Sequence, residues 1–188
     1  MTDQRPPEDA PERATEHVSS IVLVNTGDGK GKTTAAMGTV MRAVARGWRV
    51  AVVQFIKSGD WRVGEEDVGR RLGVDWESIG EGFTWDSEDL DAAADIARTA
   101  WAVAKDKIAS GAFDLVVLDE ATYPMNWRWI STDEVVQTIK TRPESVNVIV
   151  TGRDAPAALV DVADTVTEMK KVRHAYDRGV AARRGIDF

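Results

Sequence analysis

The chain has 188 residues, 43% of them hydrophobic, which is enough to build one compact domain with a sizeable core. The absence of cysteine excludes disulfides, thiolate metal sites, iron–sulfur clusters and a cysteine nucleophile. The net charge of −7 argues against nucleic-acid binding, and without a long apolar run or a signal-peptide pattern we expect a cytoplasmic protein that makes no contact with membranes.

The beginning of the chain differs from the rest in composition. Residues 1–19 are rich in Pro, Glu, Asp and Arg and show almost no apolar periodicity. Such a segment has too little apolar surface to pack, so we expect a disordered or loosely docked tail. Residues 20–188 are then predicted to form a single domain.

From Ile21 onward, apolar strands alternate with amphipathic helices. Near-continuous Val, Ile and Leu strands separated by helices are typical of a mostly parallel sheet that is covered on both faces. The predicted strands are Ile21–Thr26, Arg49–Ile56, Val74–Ile79, Asp114–Asp119, Val146–Thr151 and Thr165–Met169. The predicted helices are Thr33–Arg46, one capped by Ser87 that runs to about Ser110, one capped by Ser131 or Thr132 that stops before Pro143, and Ala155–Val162. This pattern predicts a single α/β domain and leaves the order of the strands open.

The turn after the first strand has the features of a phosphate-binding P-loop. Inward-pointing backbone amides and the positive end of the following helix would hold a polyphosphate. Lys32 would reach the outer phosphates and the Thr33 hydroxyl would bind Mg²⁺, although the strict pattern has Gly where this chain has Thr26. The candidate nucleotide-binding residues are Asn25, Thr26, Gly27, Asp28, Gly29, Lys30, Gly31, Lys32, Thr33 and Thr34. Asn25 and Thr26 flank the loop, and shaping it is an alternative role for both.

A second motif lies at the end of the strand Asp114–Asp119. Four apolar residues are followed by Asp119 and Glu120, which is the form of a Walker B strand. Downstream of a P-loop, a carboxylate at this place holds Mg²⁺ directly or through water. The sequence therefore predicts a protein that binds ATP and Mg²⁺, with Thr33, Asp119 and Glu120 as the candidate metal residues.

Several further segments give the chain a family resemblance. In order and spacing it resembles the P-loop type of ATP:corrinoid adenosyltransferase from about residue 20 to the C-terminus. The P-loop, including its unusual start, is similar to the family's own version. The other segments that carry the resemblance are Val53–Lys57, Gly82–Trp85, Val117–Glu120, Thr151–Arg153, Val172–Asp177, Gly179 and Gly185–Asp187. The N-terminal tail, Ser58–Asp67 and Pro124–Trp129 depart from the family's pattern.

The resemblance implies a fold, a reaction and partners. The fold is a P-loop NTPase-like (RecA-like) domain with a mostly parallel sheet. The reaction moves the 5′-deoxyadenosyl group of ATP onto Co(I) of a reduced corrinoid and releases triphosphate, in adenosylcobalamin biosynthesis or salvage. The implied partners are ATP, Mg²⁺, a reduced corrinoid (cobalamin, cobinamide or cobyrinic acid a,c-diamide), an external reductant such as a flavoprotein, and a second copy of the chain in a homodimer.

The resemblance also assigns roles to residues outside the two nucleotide motifs. Phe83 and Trp85 would pack under the corrin and exclude the lower axial ligand, with core packing as the alternative. Arg42, Arg153 and His174 are candidates to contact phosphate or ribose; Arg42 and His174 are equally typical of solvent-facing side chains. The candidate catalytic residues are Lys32, Glu120, Phe83 and Trp85. Trp127 and Trp129 we interpret as packing or subunit-interface residues.

Two other functions are compatible with a P-loop domain, because a fold does not fix a reaction. One is a small-molecule kinase, which usually has an arginine-rich lid, whereas residues 65–95 are strongly acidic. The other is a non-enzymatic ATP-gated binding module, in which Glu120 activates water and hydrolysis switches a partner.

Overall fold

The computed structural model describes residues 16–56, 64–79 and 90–187 and shows one six-stranded parallel sheet. The strands are β1 (Val22–Thr26), β2 (Val50–Gln54), β3 (Asp75–Ser78), β4 (Leu115–Asp119), β5 (Asn147–Thr151) and β6 (Thr165–Glu168). Their order across the sheet is β3-β2-β4-β5-β1-β6, and every neighbouring pair is parallel. The predicted α/β class is confirmed, and each predicted strand is present with slightly shorter ends. β5 separates the P-loop strand β1 from β4.

Helices connect the strands and cover both faces of the sheet. The helices are α1 (Lys32–Val44), α2 (Gly64–Arg71), α3 (Leu90–Ala109), α4 (Thr122–Asn126), α5 (Thr132–Lys140) and α6 (Ala157–Val160), followed by a 3₁₀ turn at Tyr176–Arg178. The Ser131 hydroxyl accepts a hydrogen bond from the Glu134 amide (3.3 Å), so Ser131 is the cap of α5. α6 is shorter than the predicted Ala155–Val162 helix at both ends, and Pro156 sets its beginning because it stands at the N-cap. The predicted cap of α3, Ser87, lies outside the described residues, as does most of the predicted tail.

Two helices were not expected from the sequence. α2 has a single large apolar residue, Val68, so it lacks the apolar periodicity that predicts a helix. It is instead a solvated helix, with acidic residues in its first turn, basic residues in its last turn and an ion pair between Glu66 and Arg70 (2.9 Å). α4 has only five residues and contains Pro124 in its first turn, where proline is tolerated. Trp127 and Trp129 follow the end of this helix.

The core consists of two layers, one on each face of the sheet. Val52, Val117 and Ile149 point to the face that α1 covers, where they pack with Ala36, Met37 and Val40. Val53, Leu118 and Val150 alternate to the opposite face and pack beneath α3, α5 and α6. This two-sided burial explains why the strands read as continuous apolar runs. No helix in the described part of the chain has the length and apolarity needed to span a membrane.

Candidate functional site

The P-loop is pressed against the end of the neighbouring strand β6. Gly27 and Gly31 adopt left-handed φ values of 95° and 119°, which favour glycine. The Gly29 amide donates to the Met169 carbonyl, and a Cβ built on either Gly27 or Gly29 would lie 2.6 Å from that carbonyl oxygen. Close backbone approach therefore requires glycine at positions 27 and 29, and the left-handed backbone favours it at positions 27 and 31.

Lys32 lies inside this loop. Lys32 is the first residue of α1 and is only 7% exposed. Its Nζ donates hydrogen bonds to the carbonyls of Gly27 (2.7 Å) and Gly29 (2.8 Å). Burial lowers the pKa of Lys32 below its usual value, the carboxylate of Glu120 opposes that shift, and the charge of Arg153 adds to it. The ammonium is thus held where a polyphosphate would meet it, and an incoming anion would favour its charged form.

Asp119 forms the buried centre of the site. It is completely buried, and its Oδ1 accepts hydrogen bonds from the hydroxyls of Thr33 (2.9 Å) and Thr151 (2.7 Å). Its Oδ2 accepts from Nε2 of Gln54 (2.7 Å). Three strands and α1 therefore converge on one carboxylate. Gln54 and Thr151 lie in segments that carry the family resemblance, but their role at the site was not predicted. The available signal was a polar side chain at the end of an apolar strand.

This arrangement fits a magnesium ion without forming a complete protein cage. Since Thr33 uses its hydroxyl proton to bond Asp119, the lone pairs of its oxygen are left to face a cation. No group of three His, Asp or Glu side chains within the described ranges is able to hold a metal on its own. Mg²⁺ typically takes one or two protein oxygens and completes its shell with phosphate and water, so the residues present suit an ion that arrives with a nucleotide.

Glu120 follows Asp119 in a strained backbone conformation. Its φ is 60°, and its amide donates to the Thr151 hydroxyl (3.0 Å), which in turn donates to Asp119. Non-glycine residues in this region are uncommon and concentrate at functional sites. Glu120 lines a cavity of about 210 Å³ above the P-loop. The other residues of that cavity are Lys30, Gly31, Lys32, Thr33, Thr34, Glu65, Ile186 and Asp187.

Arg153 lies just beyond the end of β5, on the same edge of the sheet. The side chain is exposed, and its charge acts on Lys32 and on Tyr123. Burial raises the pKa of Tyr123, the nearby carboxylate of Glu120 raises it further, and Arg153 opposes the shift. Tyr123 on α4 therefore stays protonated beside the site. The place of Tyr123 beside the site was not predicted, because the sequence does not indicate α4.

The C-terminal segment forms the other wall of the cavity. Asp187 pairs with Lys30 of the P-loop (2.8 Å) and accepts a hydrogen bond from the Arg183 amide (2.8 Å). The bond from Lys30 lowers the pKa of Asp187, and the charge of His174 contributes in the same direction. His174 accepts a hydrogen bond from the Tyr176 amide at Nδ1 (3.1 Å). Ile186 and Asp187 therefore line the cavity above the P-loop, and His174 lies close enough for its charge to act on Asp187.

The remaining candidates are placed less closely around the cavity. Asn25 is buried and its Nδ2 donates to the Lys32 carbonyl (3.4 Å), which agrees with a role in shaping the loop. Arg42 is exposed in the last turn of α1, ten residues after Lys32 and about 15 Å along the helix at 1.5 Å per residue. Phe83 and Trp85 lie outside the described residues, so their roles stay predictions.

The two tryptophans after α4 are half-buried. The ring of Trp127 lies 5.5 Å from that of Tyr123 and 4.7 Å from that of Trp129, measured between centroids. Trp127 and Tyr123 also pack against the core layer beneath α3. Within one chain, Trp127 and Trp129 therefore act as packing residues, which is one of the two roles expected for them.

Comparison with known proteins agrees with this geometry. A family model described as ATP:corrinoid adenosyltransferase BtuR/CobO/CobP matches residues 19–188. The chain is 44% identical over 168 residues to the corrinoid adenosyltransferase of Escherichia coli (strain K12), across 89% of this chain and 85% of that protein. It is 43% identical over 168 residues to the corrinoid adenosyltransferase CobA of Salmonella typhimurium, with the same coverage. It is 42% identical over 170 residues to the corrinoid adenosyltransferase of Pseudomonas aeruginosa, across 89% and 83%. With a P-loop, a buried Walker B aspartate and relatives of this similarity over nearly its whole length, the chain belongs to the ATP:corrinoid adenosyltransferase family.

Proposed function

We propose that this enzyme transfers the 5′-deoxyadenosyl group of ATP to the Co(I) of a reduced corrinoid and releases triphosphate. The observation that carries the proposal is the position of Lys32, which the P-loop carbonyls hold beside the Thr33–Asp119 pair. Such a site stabilises negative charge that develops on a leaving triphosphate. The chain has no cysteine, and this reaction needs no nucleophile from the protein.

The bond changes are simple. The Co(I) electron pair forms the new bond to C5′ of the ribose, and the bond between C5′ and its phosphate oxygen breaks with its electrons remaining on the triphosphate. Cobalt is thereby oxidised by two electrons to an alkyl-Co(III). Lys32 donates hydrogen bonds to the departing triphosphate, whose charge raises the pKa of the ammonium back from its lowered value.

Magnesium would bind through the Thr33 hydroxyl oxygen, with Asp119 holding that hydroxyl and Glu120 facing the same cavity. When bound, the ion supplies positive charge to the phosphate oxygens. Because Asp119 is buried and accepts three hydrogen bonds, we assign it an indirect role through Thr33. Glu120 is the better candidate to contact the ion or its water.

The finer assignments belong to the same proposal. Arg153 approaches the phosphates from the end of β5, and His174 from the C-terminal segment. Arg42, in the last turn of α1, is a further contact of the nucleotide, while Phe83 and Trp85 line the lower face of the corrin. The electron that reduces Co(II) comes from an external reductant such as a flavoprotein, since the chain has no cysteine. The working unit is a homodimer.

Product analysis tests the proposal directly. The protein is incubated with ATP, Mg²⁺ and chemically reduced corrinoid, and the products are separated. Triphosphate together with a light-sensitive Co–C bond is the expected result. ADP with a phosphorylated acceptor would instead identify a kinase, and ADP with inorganic phosphate would identify an ATP-driven switch. Omitting the reductant is the matched control, because Co(I) is the nucleophile and without it no triphosphate should form.

A further inference from the structure

Thr26 occupies the position at which the strict P-loop pattern has glycine, and the structure shows what the side chain does there. The residue is the last of β1 and pairs with Glu168 of β6 in ordinary strand conformation. The left-handed turn begins one residue later, at Gly27. Glycine is therefore not required at position 26 by backbone geometry. The Thr26 hydroxyl instead accepts a hydrogen bond from the Ala155 amide (3.1 Å), which a glycine would leave without this partner.

The amide that Thr26 holds belongs to the short loop that carries Arg153. That loop, residues 152–155, is fixed on its other side by α4. The Thr122 hydroxyl donates to the Arg153 carbonyl (2.6 Å), and Nδ2 of Asn126 donates to the Asp154 carbonyl (3.0 Å). The loop is thus held between α4 and the P-loop strand.

The conformation of the loop shows how closely it is held. Gly152 has a φ of 144°, and a Cβ there would lie 2.0 Å from the Thr122 hydroxyl oxygen. The Gly152 amide donates to the Asn25 carbonyl (3.2 Å), and Asp154 adopts a left-handed φ of 51°. Residues in such conformations persist where the surroundings determine them. The place from which Arg153 projects is therefore set by contacts on both sides.

Two of the cations at this edge of the sheet are Lys32, inside the P-loop, and Arg153, on the adjacent loop. They act on each other through space, because the charge of Arg153 disfavours the charged form of Lys32. Two like charges repel each other, so contacts that hold the Arg153 loop in place oppose its movement away from Lys32. The Thr26–Ala155 hydrogen bond is a side-chain contact that ties this loop to the P-loop strand itself.

We propose that Thr26 is a positioning residue, whose hydroxyl fixes the Arg153 loop to the P-loop so that Arg153 and Lys32 bind the same triphosphate. The Thr in place of the usual glycine is then a functional feature of this loop. The inference rests on the proposed role of Arg153 as a phosphate contact. It predicts that restoring the strict pattern by Thr26→Gly weakens the enzyme, although the change improves the match to the general motif.

The first test needs no substrate. Amide hydrogen exchange at Ala155 is measured by NMR in the wild type, in Thr26→Val, which keeps the shape but removes the acceptor, and in Thr26→Ser, which keeps the oxygen. Loss of one hydrogen bond should speed exchange at Ala155 about three- to tenfold in Thr26→Val, and less in Thr26→Ser. Thr39→Val is the matched control, because Thr39 bonds to the Ala35 carbonyl within α1. Equal exchange at Ala155 in all four proteins would overturn the proposal.

The second test asks whether Thr26 acts through Arg153. Thr26→Val and Thr26→Gly should each raise the KM for ATP about three- to tenfold, and neither should do so when Arg153 is already alanine. An undiminished effect in the Arg153→Ala background would mean that Thr26 only supports the P-loop, and the proposal would be wrong. Thermal melts show which variants are folded; Thr26→Ala replaces any that is not. Failure to form triphosphate in the wild type would contradict the proposed reaction, while the exchange result would still decide on the contact.

Discussion

The hydroxyl of Thr33 donates to Oδ1 of Asp119 over 2.9 Å, between residues that lie 86 positions apart in the chain. This bond joins the P-loop helix to the Walker B strand and turns the Thr33 oxygen into an acceptor toward the cavity. It makes the metal site depend on a residue that is itself completely buried.

Asp119→Asn should therefore damage both stability and magnesium use. The amide offers a donor where Thr33, Thr151 and Gln54 all require acceptors, so at least one buried donor loses its partner, at about 1–3 kcal/mol in free energy of unfolding. The Mg²⁺ concentration for half-maximal transfer should rise at least about tenfold, in line with a change of about 1.4 kcal/mol. Urea unfolding and a Mg²⁺ titration measure the two effects. Asp106→Asn, on the exposed face of α3, is the control. An unchanged Mg²⁺ requirement would show that other groups hold the metal.

Alanine substitutions at Gly29 in the P-loop and at Gly38 in α1 should change the stability of the protein in opposite directions. At Gly29 a Cβ would lie 2.6 Å from the Met169 carbonyl oxygen, so Gly29→Ala should cost about 1–3 kcal/mol and weaken ATP binding. At Gly38, within α1, a Cβ meets nothing within 4 Å, and Gly38→Ala should stabilise the protein by about 0.5–1 kcal/mol. Thermal melts with and without ATP compare the two. Equal effects of both substitutions would contradict the close approach of the P-loop to β6.

The lowered pKa of Lys32 gives the nucleotide-free enzyme a specific pH dependence. Between that lowered pKa and the ordinary value of 10.5, the unfolded chain binds the Lys32 proton and the folded chain does not. The contribution of Lys32 to the free energy of unfolding therefore rises with pH between these two values and is constant below them. In urea unfolding across the alkaline range, the free energy of unfolding of the wild type should rise relative to that of Lys32→Met as the pH approaches 10.5. A constant difference between the two proteins would mean that the pKa of Lys32 is not lowered.

The Lys30–Asp187 ion pair should control access to the C-terminal segment. Asp187→Asn removes the pair, so trypsin at neutral pH should cleave faster after Arg183 and Arg184 than in the wild type. Added salt should speed cleavage of the wild type toward the rate of the variant, because the pair is partly exposed and is screened. Asp161→Asn, an exposed acid near α6, serves as the control. Identical cleavage of wild type and Asp187→Asn would show that the pair does not hold the segment.

Phe83 and Trp85 separate this family's chemistry from that of other P-loop proteins. If they exclude the lower axial ligand, alanine at both positions should spare ATP binding and most of the transfer to corrinoid already reduced to Co(I). Transfer that starts from Co(II) should fall, because the ligand would stay bound and make reduction harder. The measurement is the ratio of the two activities in a variant shown by thermal melt to be folded, with Trp129→Ala as the aromatic control. A wild-type ratio would assign both side chains to packing.

Local sequence patterns predicted the elements of this fold but not how they meet. The P-loop and the Walker B strand were readable because their signals lie within a few consecutive residues. The bond from Gln54 to Asp119 was not, because it exists only when β2 and β4 are neighbours, and strand order is set by long-range packing. The same holds for the contact of Gly29 with Met169, which needs β6 beside β1. α2 and α4 were missed because a charged helix and a five-residue helix with proline both lack apolar periodicity.

The pairing of β1 also bears on how the protein is made. Val22 pairs with Val148 on one side, and Leu23 pairs with Thr165 on the other, so the first strand to leave the ribosome gains its neighbours only from the last quarter of the chain. Contacts of such sequence separation form late and slow folding, and an apolar strand that waits for them is exposed to aggregation. A chain that lacks β5 and β6 lacks the strands on both sides of β1 and, with them, the Met169 carbonyl that accepts from Gly29 of the P-loop. Truncated chains of this kind should therefore bind ATP weakly or not at all.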